Sequence, residues 1–210
     1  MKLKICGLKY PDNIKELSIS AVDYMGFIFY KKSPRYISTM IDFDFIRQLP
    51  KHINKTGVFV NEKTYKMFNL IAHYNLDTIQ LHGEEPEEVC KELKPYVKII
   101  KAFGVDDTFD FKRVEKYIPY VDFFLFDTLT DSYGGSGKKF NREVLKKYTY
   151  DVPFFLSGGI DEYSAGELKH IDHPKLYAID INSKFEIEKP GLKDVQKIKN
   201  FINKLSEYGN

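Results

Sequence analysis

Short apolar runs recur along the chain with amphipathic segments between them. The runs cover residues 3–8, 25–30, 56–61, 78–83, 97–103, 123–128, 153–158 and 176–181 and are rich in Ile, Val and Phe. Their starts lie about 20 to 30 residues apart, the length of one strand-plus-helix unit. The segments between them carry helical spacing. Pro11-Asp12-Asn13 opens the first, with Ile14, Leu17 and Ile19 on its apolar side. Segment 62–74 sets Tyr65, Phe68, Ile71 and Ala72 on one stripe, and segment 86–93 begins with proline and glutamates, a helix N-terminal signature. Segment 192–205 repeats apolar residues at Val195, Ile198, Ile202 and Leu205.

Near-continuous apolar strands alternating with amphipathic helices predict an α/β fold with a parallel sheet covered by helices. Eight units in one short chain fit a single-domain (β/α)8 TIM barrel spanning residues 1–210. The competing arrangement, an open doubly wound sheet, usually carries a Gly-x-Gly-x-x-Gly turn after its first strand; here that turn reads Cys6-Gly7-Leu8-Lys9.

Charge and composition narrow the partners. With 32 basic and 30 acidic residues the formal net charge is +2, which gives no broad field for nucleic acid or a membrane surface. The basic doublets Lys31-Lys32 and Lys138-Lys139 are too short to form a track. Two cysteines, Cys6 and Cys90, make no CxxC pair, so neither a disulfide scaffold nor a cysteine zinc site is expected. No signal-peptide pattern opens the chain, and no apolar run reaches the roughly 20 residues that span a bilayer. A reduced cytoplasmic location is expected.

In a (β/α)8 barrel the active site gathers at the C-terminal strand ends. The polar ends are Cys6 on run one, Gln80-Leu81-His82-Gly83 on run four, Lys101 near the end of run five and Asp127-Thr128 on run six; Ser157-Gly158-Gly159 end run seven, and Asp180-Ile181-Asn182-Ser183 run eight. The seventh and eighth ends offer bare backbone N–H groups and a hydroxyl, which fits a barrel phosphate site. Read alone, Gly158-Gly159 is also an ordinary glycine turn. Asp127 closes the aromatic run Phe123-Phe124-Leu125-Phe126, where desolvation raises a carboxyl pKa and suits a general acid; a loop-capping aspartate is the plainer reading. Cys6 is either a small buried residue or a base needing a modest downward pKa shift. Cys90, inside segment 86–93, fits packing. Arg35, stiffened by Pro34, is a surface arginine or a bidentate carboxylate clamp. His82 has no second ligand at metal spacing, so no metal is expected. Tyr133-Gly134-Gly135-Ser136-Gly137-Lys138 lacks the P-loop pattern and reads as a loop that closes over a site or as a linker.

The ordered set Lys4-Ile5-Cys6-Gly7, Ser33-Pro34-Arg35-Tyr36, Gly57-Val58-Phe59-Val60-Asn61, Gln80-Leu81-His82-Gly83, Phe126-Asp127, Leu156-Ser157-Gly158-Gly159, Asp180-Ile181-Asn182-Ser183 and Lys189-Pro190-Gly191-Leu192-Lys193-Asp194 resembles the phosphoribosylanthranilate isomerase family over nearly the whole chain. The resemblance implies an Amadori rearrangement in tryptophan biosynthesis, with Cys6 as general base and Asp127 as general acid. It also implies Arg35 on the anthranilate carboxylate and backbone near Gly158, Gly159, Asn182 and Ser183 on the phosphate, with His82 and Asp180 as further substrate contacts. Phosphoribosylanthranilate is then the small-molecule partner, no cofactor or metal is needed, no nucleic acid or membrane partner is expected, and the chain is a monomer or homodimer. Three departures stand out: Phe140-Asn141-Arg142 in place of Phe-Asp-Trp, Lys184 in place of a glycine, and no tryptophan anywhere. Two other readings are an indole-glycerol-phosphate synthase, which relies on lysine and glutamate at strand ends, and a non-catalytic barrel that binds a sugar phosphate or a partner protein.

Overall fold

The structure, a computed structural model, describes residues 1–37, 41–129 and 140–206. Its strands are β1 (Lys2–Ile5), β2 (Tyr24–Ile28), β3 (Asn54–Phe59), β4 (Thr78–Leu81), β5 (Lys98–Val105), β6 (Phe123–Thr128), β7 (Phe154–Leu156) and β8 (Leu176–Ile181). They form a closed barrel in sequence order, each parallel to the next. The seam is β1 against β8, with Lys4 opposite Asp180 and Ile5 opposite Ile181. Helices α1 (Pro11–Ser18), α2 (Phe43–Arg47), α3 (Thr64–Tyr74), α4 (Glu87–Leu93), α5 (Ala165–Lys169) and α6 (Val195–Ser206) lie between strands or after the last. Between β5 and β6 the crossover is a 3₁₀ segment, Phe111–Tyr120, and a second, Arg142–Lys147, precedes β7. Pro119 lies in the former, where it supplies no backbone N–H.

The eight strands fall where the apolar runs predict, with shifted ends. Strand β1 stops at Ile5 because Gly7 turns the chain with a left-handed φ of 73°, although the Cys6 N–H still donates to the Ile181 carbonyl at 2.9 Å. Helix faces were harder to read. Ile14 and Leu17 of α1 are fully buried, but Ile19 is its C-cap and 82% exposed. On α3 the buried residue is Met67, while Tyr65 points to solvent. The short α2 carries too few residues to show a period.

Strand alternation builds two cores. Leu3, Ile5, Ile79, Leu81, Phe124, Phe126 and Ile179 face outward under the helices. Tyr24, Ile100, Ala102, Phe123, Leu125, Phe155 and Ala178 fill the inside of the barrel toward its N-terminal end. Above this aromatic plug the interior is polar: Lys4, Gln80 and Asp180 are each at most 5% exposed. The strand runs therefore carry buried polar residues well below the rim. A barrel interior has room for a charge when the counter-charge comes from a neighbouring strand.

Candidate active site

A cavity opens at the C-terminal end of the barrel, where this fold places its sites. Of the residues expected at the site, Cys6, His82, Asp127, Gly158, Gly159, Asp180, Asn182 and Ser183 line it, and Arg35 and Lys101 do not. Gln80, Ser157 and Lys184 line it as well.

Cys6 is 4% exposed at the end of β1. Its sulfur occupies the space that a side chain on the neighbouring strand β2 would fill, for a Cβ on Gly26 would lie 2.9 Å from Sγ. Two residues back on the same strand face is Lys4, which no solvent reaches. Its ammonium donates to Asp180 Oδ1 at 2.9 Å and also hydrogen-bonds Cys6. Burial disfavours the lysine's charge, yet Asp180 and Cys6 outweigh that and hold the ammonium protonated. Burial also pushes the Cys6 thiol above its ordinary value, with Lys4 and Lys193 pulling it down and Asp180 pushing it up. The sequence led us to expect a downward shift; enclosure of the sulfur reverses it.

Asp127 is reached from β6, with its side chain 24% exposed to the cavity. Burial raises its pKa to about 6, Asp180 adds to the rise, and the Thr128 N–H, Ser157 and Lys4 oppose it. Its Oδ1 accepts from the Thr128 N–H at 2.8 Å, so the residue also caps its own strand end. His82 Nε2 lies 3.7 Å from Asp127 Oδ2. Burial, then Lys101 and Lys4, bring the histidine down to about 4. Free aspartate and histidine titrate in the opposite order. Between pH 4 and 6 the carboxyl holds the proton here and the imidazole does not.

The loops after β7 and β8 follow neighbouring strands and line the cavity side by side. Gly158 and Gly159 both take positive φ, 88° and 61°. Asn182 and Ser183 lead into a 3₁₀ turn, Ser183–Phe185. Asn182 is held from behind by Lys193, whose ammonium donates to its Oδ1 at 2.7 Å and to Glu186 Oε1 at 2.8 Å. Burial lowers Lys193 to about 8 despite Glu186. Lys184, exposed, brings a cation to the same wall.

Arg35 sits outside the cavity lining, 9% exposed. Its Nε and Nη2 both donate at 2.7 Å to the two carboxylate oxygens of Glu186, a bidentate pair that uses the fork expected to meet a ligand. Lys101, expected at the rim, points outward from β5 and is 2% exposed. It donates to Glu85 Oε2 at 3.1 Å and to the Gly83 carbonyl at 2.6 Å, which fixes the loop after His82. Cys90 is fully buried in α4, and burial raises its thiol to about 12, so it packs and does no chemistry. The segment Tyr133–Lys138, expected to be a closing loop or linker, lies outside the described residues. Asn141 caps the following 3₁₀ segment through its side chain on the Glu143 N–H at 3.1 Å, and its own N–H donates to Asp107.

Sequence reading gave no role to Lys4, Gln80 and Glu186. The first two had a usable signal, since each stands two residues before a rim residue and so shares its strand face. Glu186 had none, because its partner Arg35 is 151 positions away.

A closed parallel barrel whose C-terminal mouth gathers a thiol, a proton-holding carboxyl and two adjacent loops is a (β/α)8-barrel enzyme. The family model described as N-(5'-phosphoribosyl)anthranilate (PRA) isomerase matches residues 3–204, and the N-(5'-phosphoribosyl)anthranilate isomerase of Parabacteroides distasonis is 42% identical over 210 residues, 98% of this chain and 93% of its own length. Among solved structures, phosphoribosyl anthranilate isomerase from Thermotoga maritima is similar with a TM-score of 0.86 at 35% identity, and a phosphoribosyl anthranilate isomerase in complex with reduced 1-(o-carboxyphenylamino)-1-deoxyribulose 5-phosphate with 0.83 at 31%, each covering 99% of both chains. The chain belongs to the N-(5'-phosphoribosyl)anthranilate isomerase family.

Proposed function

We propose that this isomerase converts N-(5'-phosphoribosyl)anthranilate to 1-(2-carboxyphenylamino)-1-deoxyribulose 5-phosphate in tryptophan biosynthesis, with Asp127 as general acid and Cys6 as general base. One observation carries the assignment: thiol and carboxyl, from β1 and β6, line the same cavity as the loops after β7 and β8. Protonated Asp127 donates to the ribose ring oxygen, the C1′–O bond breaks, and the nitrogen lone pair forms the Schiff base. Cys6, as thiolate, then removes the proton from C2′; the electrons move to give an enolamine, which tautomerises to the ketone. A pKa near 6 suits an acid that must both hold and release a proton near neutrality.

Lys4 supports the other half. A thiolate buried beside a protonated ammonium has its counter-ion in place, so the proton lost by Cys6 leaves no isolated charge. The substrate phosphate meets the backbone at Gly158, Gly159, Asn182 and Ser183, with Lys184 adding charge at the wall. Arg35 is proposed to contact the anthranilate carboxylate from the far side of its pair with Glu186. A cytoplasmic location is proposed from the biosynthetic role, with the small-molecule substrate as partner.

The test is fluorescence-monitored consumption of phosphoribosylanthranilate by the purified protein. Cys6→Ala and Asp127→Asn are each expected to fold and to lose about 10²–10⁴-fold in kcat. Full activity in either variant rejects its assigned role, and an inactive wild type rejects the reaction. Arg35→Ala is expected to raise KM more than it lowers kcat; unchanged kinetics would remove the carboxylate contact.

A further inference from the structure

Behind Asp127 the cavity floor holds a second polar chain, Gln80 to His82, on the inward face of β4 and its continuation. Gln80 is 1% exposed, and its Nε2 stands 2.6 Å from His82 Nδ1. In this placement of the amide its nitrogen, which only donates, faces the ring, so Nδ1 accepts with its lone pair and Gln80 Oε1 is left buried without a hydrogen-bond partner. The one proton of the neutral ring is then on Nε2, the nitrogen that lies 3.7 Å from Asp127 Oδ2. The ionisable groups around this ring are Lys101 from β5, with Glu85 as its partner, Lys4 and Cys6 from β1, Asp127 from β6 and Asp180 from β8.

We propose that Gln80 is a positioning residue for the acid step: by donating to Nδ1 it reinforces the burial and the lysine charges that already keep His82 neutral, so that no imidazolium faces Asp127 and the carboxyl keeps its proton. The inference rests on Asp127 being the general acid. An imidazolium at this distance would lower the carboxyl's proton affinity by about ten- to a thousandfold. A glutamate at position 80 would invite that state, because its carboxylate accepts from Nδ1–H.

The kinetic signature is distinctive. The working form needs Cys6 deprotonated and Asp127 protonated, and the thiol titrates above the acid. The population of that form is constant between the two pKa values and falls outside them. The low-pH break of kcat/KM therefore belongs to Asp127. Lowering its proton affinity moves that break to lower pH and lowers the plateau by the same factor.

The experiment takes the full chain, with nitrogen NMR of the His82 ring, assigned by its loss in His82→Asn, alongside the pH profile of kcat/KM. In the wild type the ring is expected to be neutral at pH 6 with Nε2 protonated; a ring protonated on Nδ1 overturns the proposal without any variant. In Gln80→Glu the imidazolium is expected to persist to higher pH, while break and plateau fall together by about ten- to a thousandfold. A folded Gln80→Glu whose imidazole titrates as in the wild type, or whose break stays in place, also overturns it. Full activity in Asp127→Asn would instead remove the acid reading and leave the ring's tautomer standing as a separate result.

Discussion

At the scale of single residues, the carboxyl suited to donate a proton is held at a cost in stability. Asp127 titrates at about 6 in the folded chain and at about 3.9 in an unfolded one. Because the folded value is raised, the group's contribution to stability is complete below about pH 4 and is lost as pH rises through about 6. Asparagine has no such loss. Asp127→Asn is therefore expected to match the wild type near pH 4 and to be more stable by about 1–3 kcal/mol at pH 7, while nearly inactive. Urea denaturation at the two pH values checks this; an equal gain at both would mean that the charge is not the cause.

At the scale of elements, the thiol's place depends on the strand beside it. A Cβ on Gly26 of β2 would lie 2.9 Å from Cys6 Sγ and 3.1 Å from Cys6 Cα, and the latter is backbone that cannot rotate away. Gly26→Ala is expected to keep the barrel's circular dichroism and lose about 10²-fold in kcat/KM, the scale of a 1 Å misplacement. Wild-type kinetics would mean that the sulfur has another resting place. The same strands explain what the sequence made legible. Runs such as 123–128 and 176–181 match β6 and β8 because inward and outward faces are both buried along most of each strand, so apolar residues follow one another with polar ones only near the C-terminal end. Helix faces were less readable: α2 and α5 have five residues each, and the 3₁₀ crossovers do not follow a 3.6-residue period. Cys6, His82, Asp127 and the two loops were visible because strand ends in this fold are functional. The pairing of Arg35 with Glu186 and the enclosure that raises the Cys6 thiol arise only from three-dimensional neighbours.

At the scale of the whole molecule, the seam between β1 and β8 joins stability to chemistry. Lys4 is fully enclosed and Asp180 nearly so, and each is the other's counter-ion. Lys4→Met strands a carboxylate inside the barrel and is expected to cost about 3–5 kcal/mol; Lys4→Met with Asp180→Leu is expected to recover most of it, with neither variant active. Unfolding by urea and the fluorescence assay test the two halves of that statement. If the double variant stayed as unstable as the single one, the seam would depend on more than charge balance. The two partners of this pair are 176 positions apart in the chain. One partner is on the first strand of the barrel and the other on the eighth. A barrel without its eighth strand would lack the counter-ion of the Lys4 ammonium, and burying that charge unpaired is costly. Closing the ring of strands and neutralising this buried lysine are therefore one event.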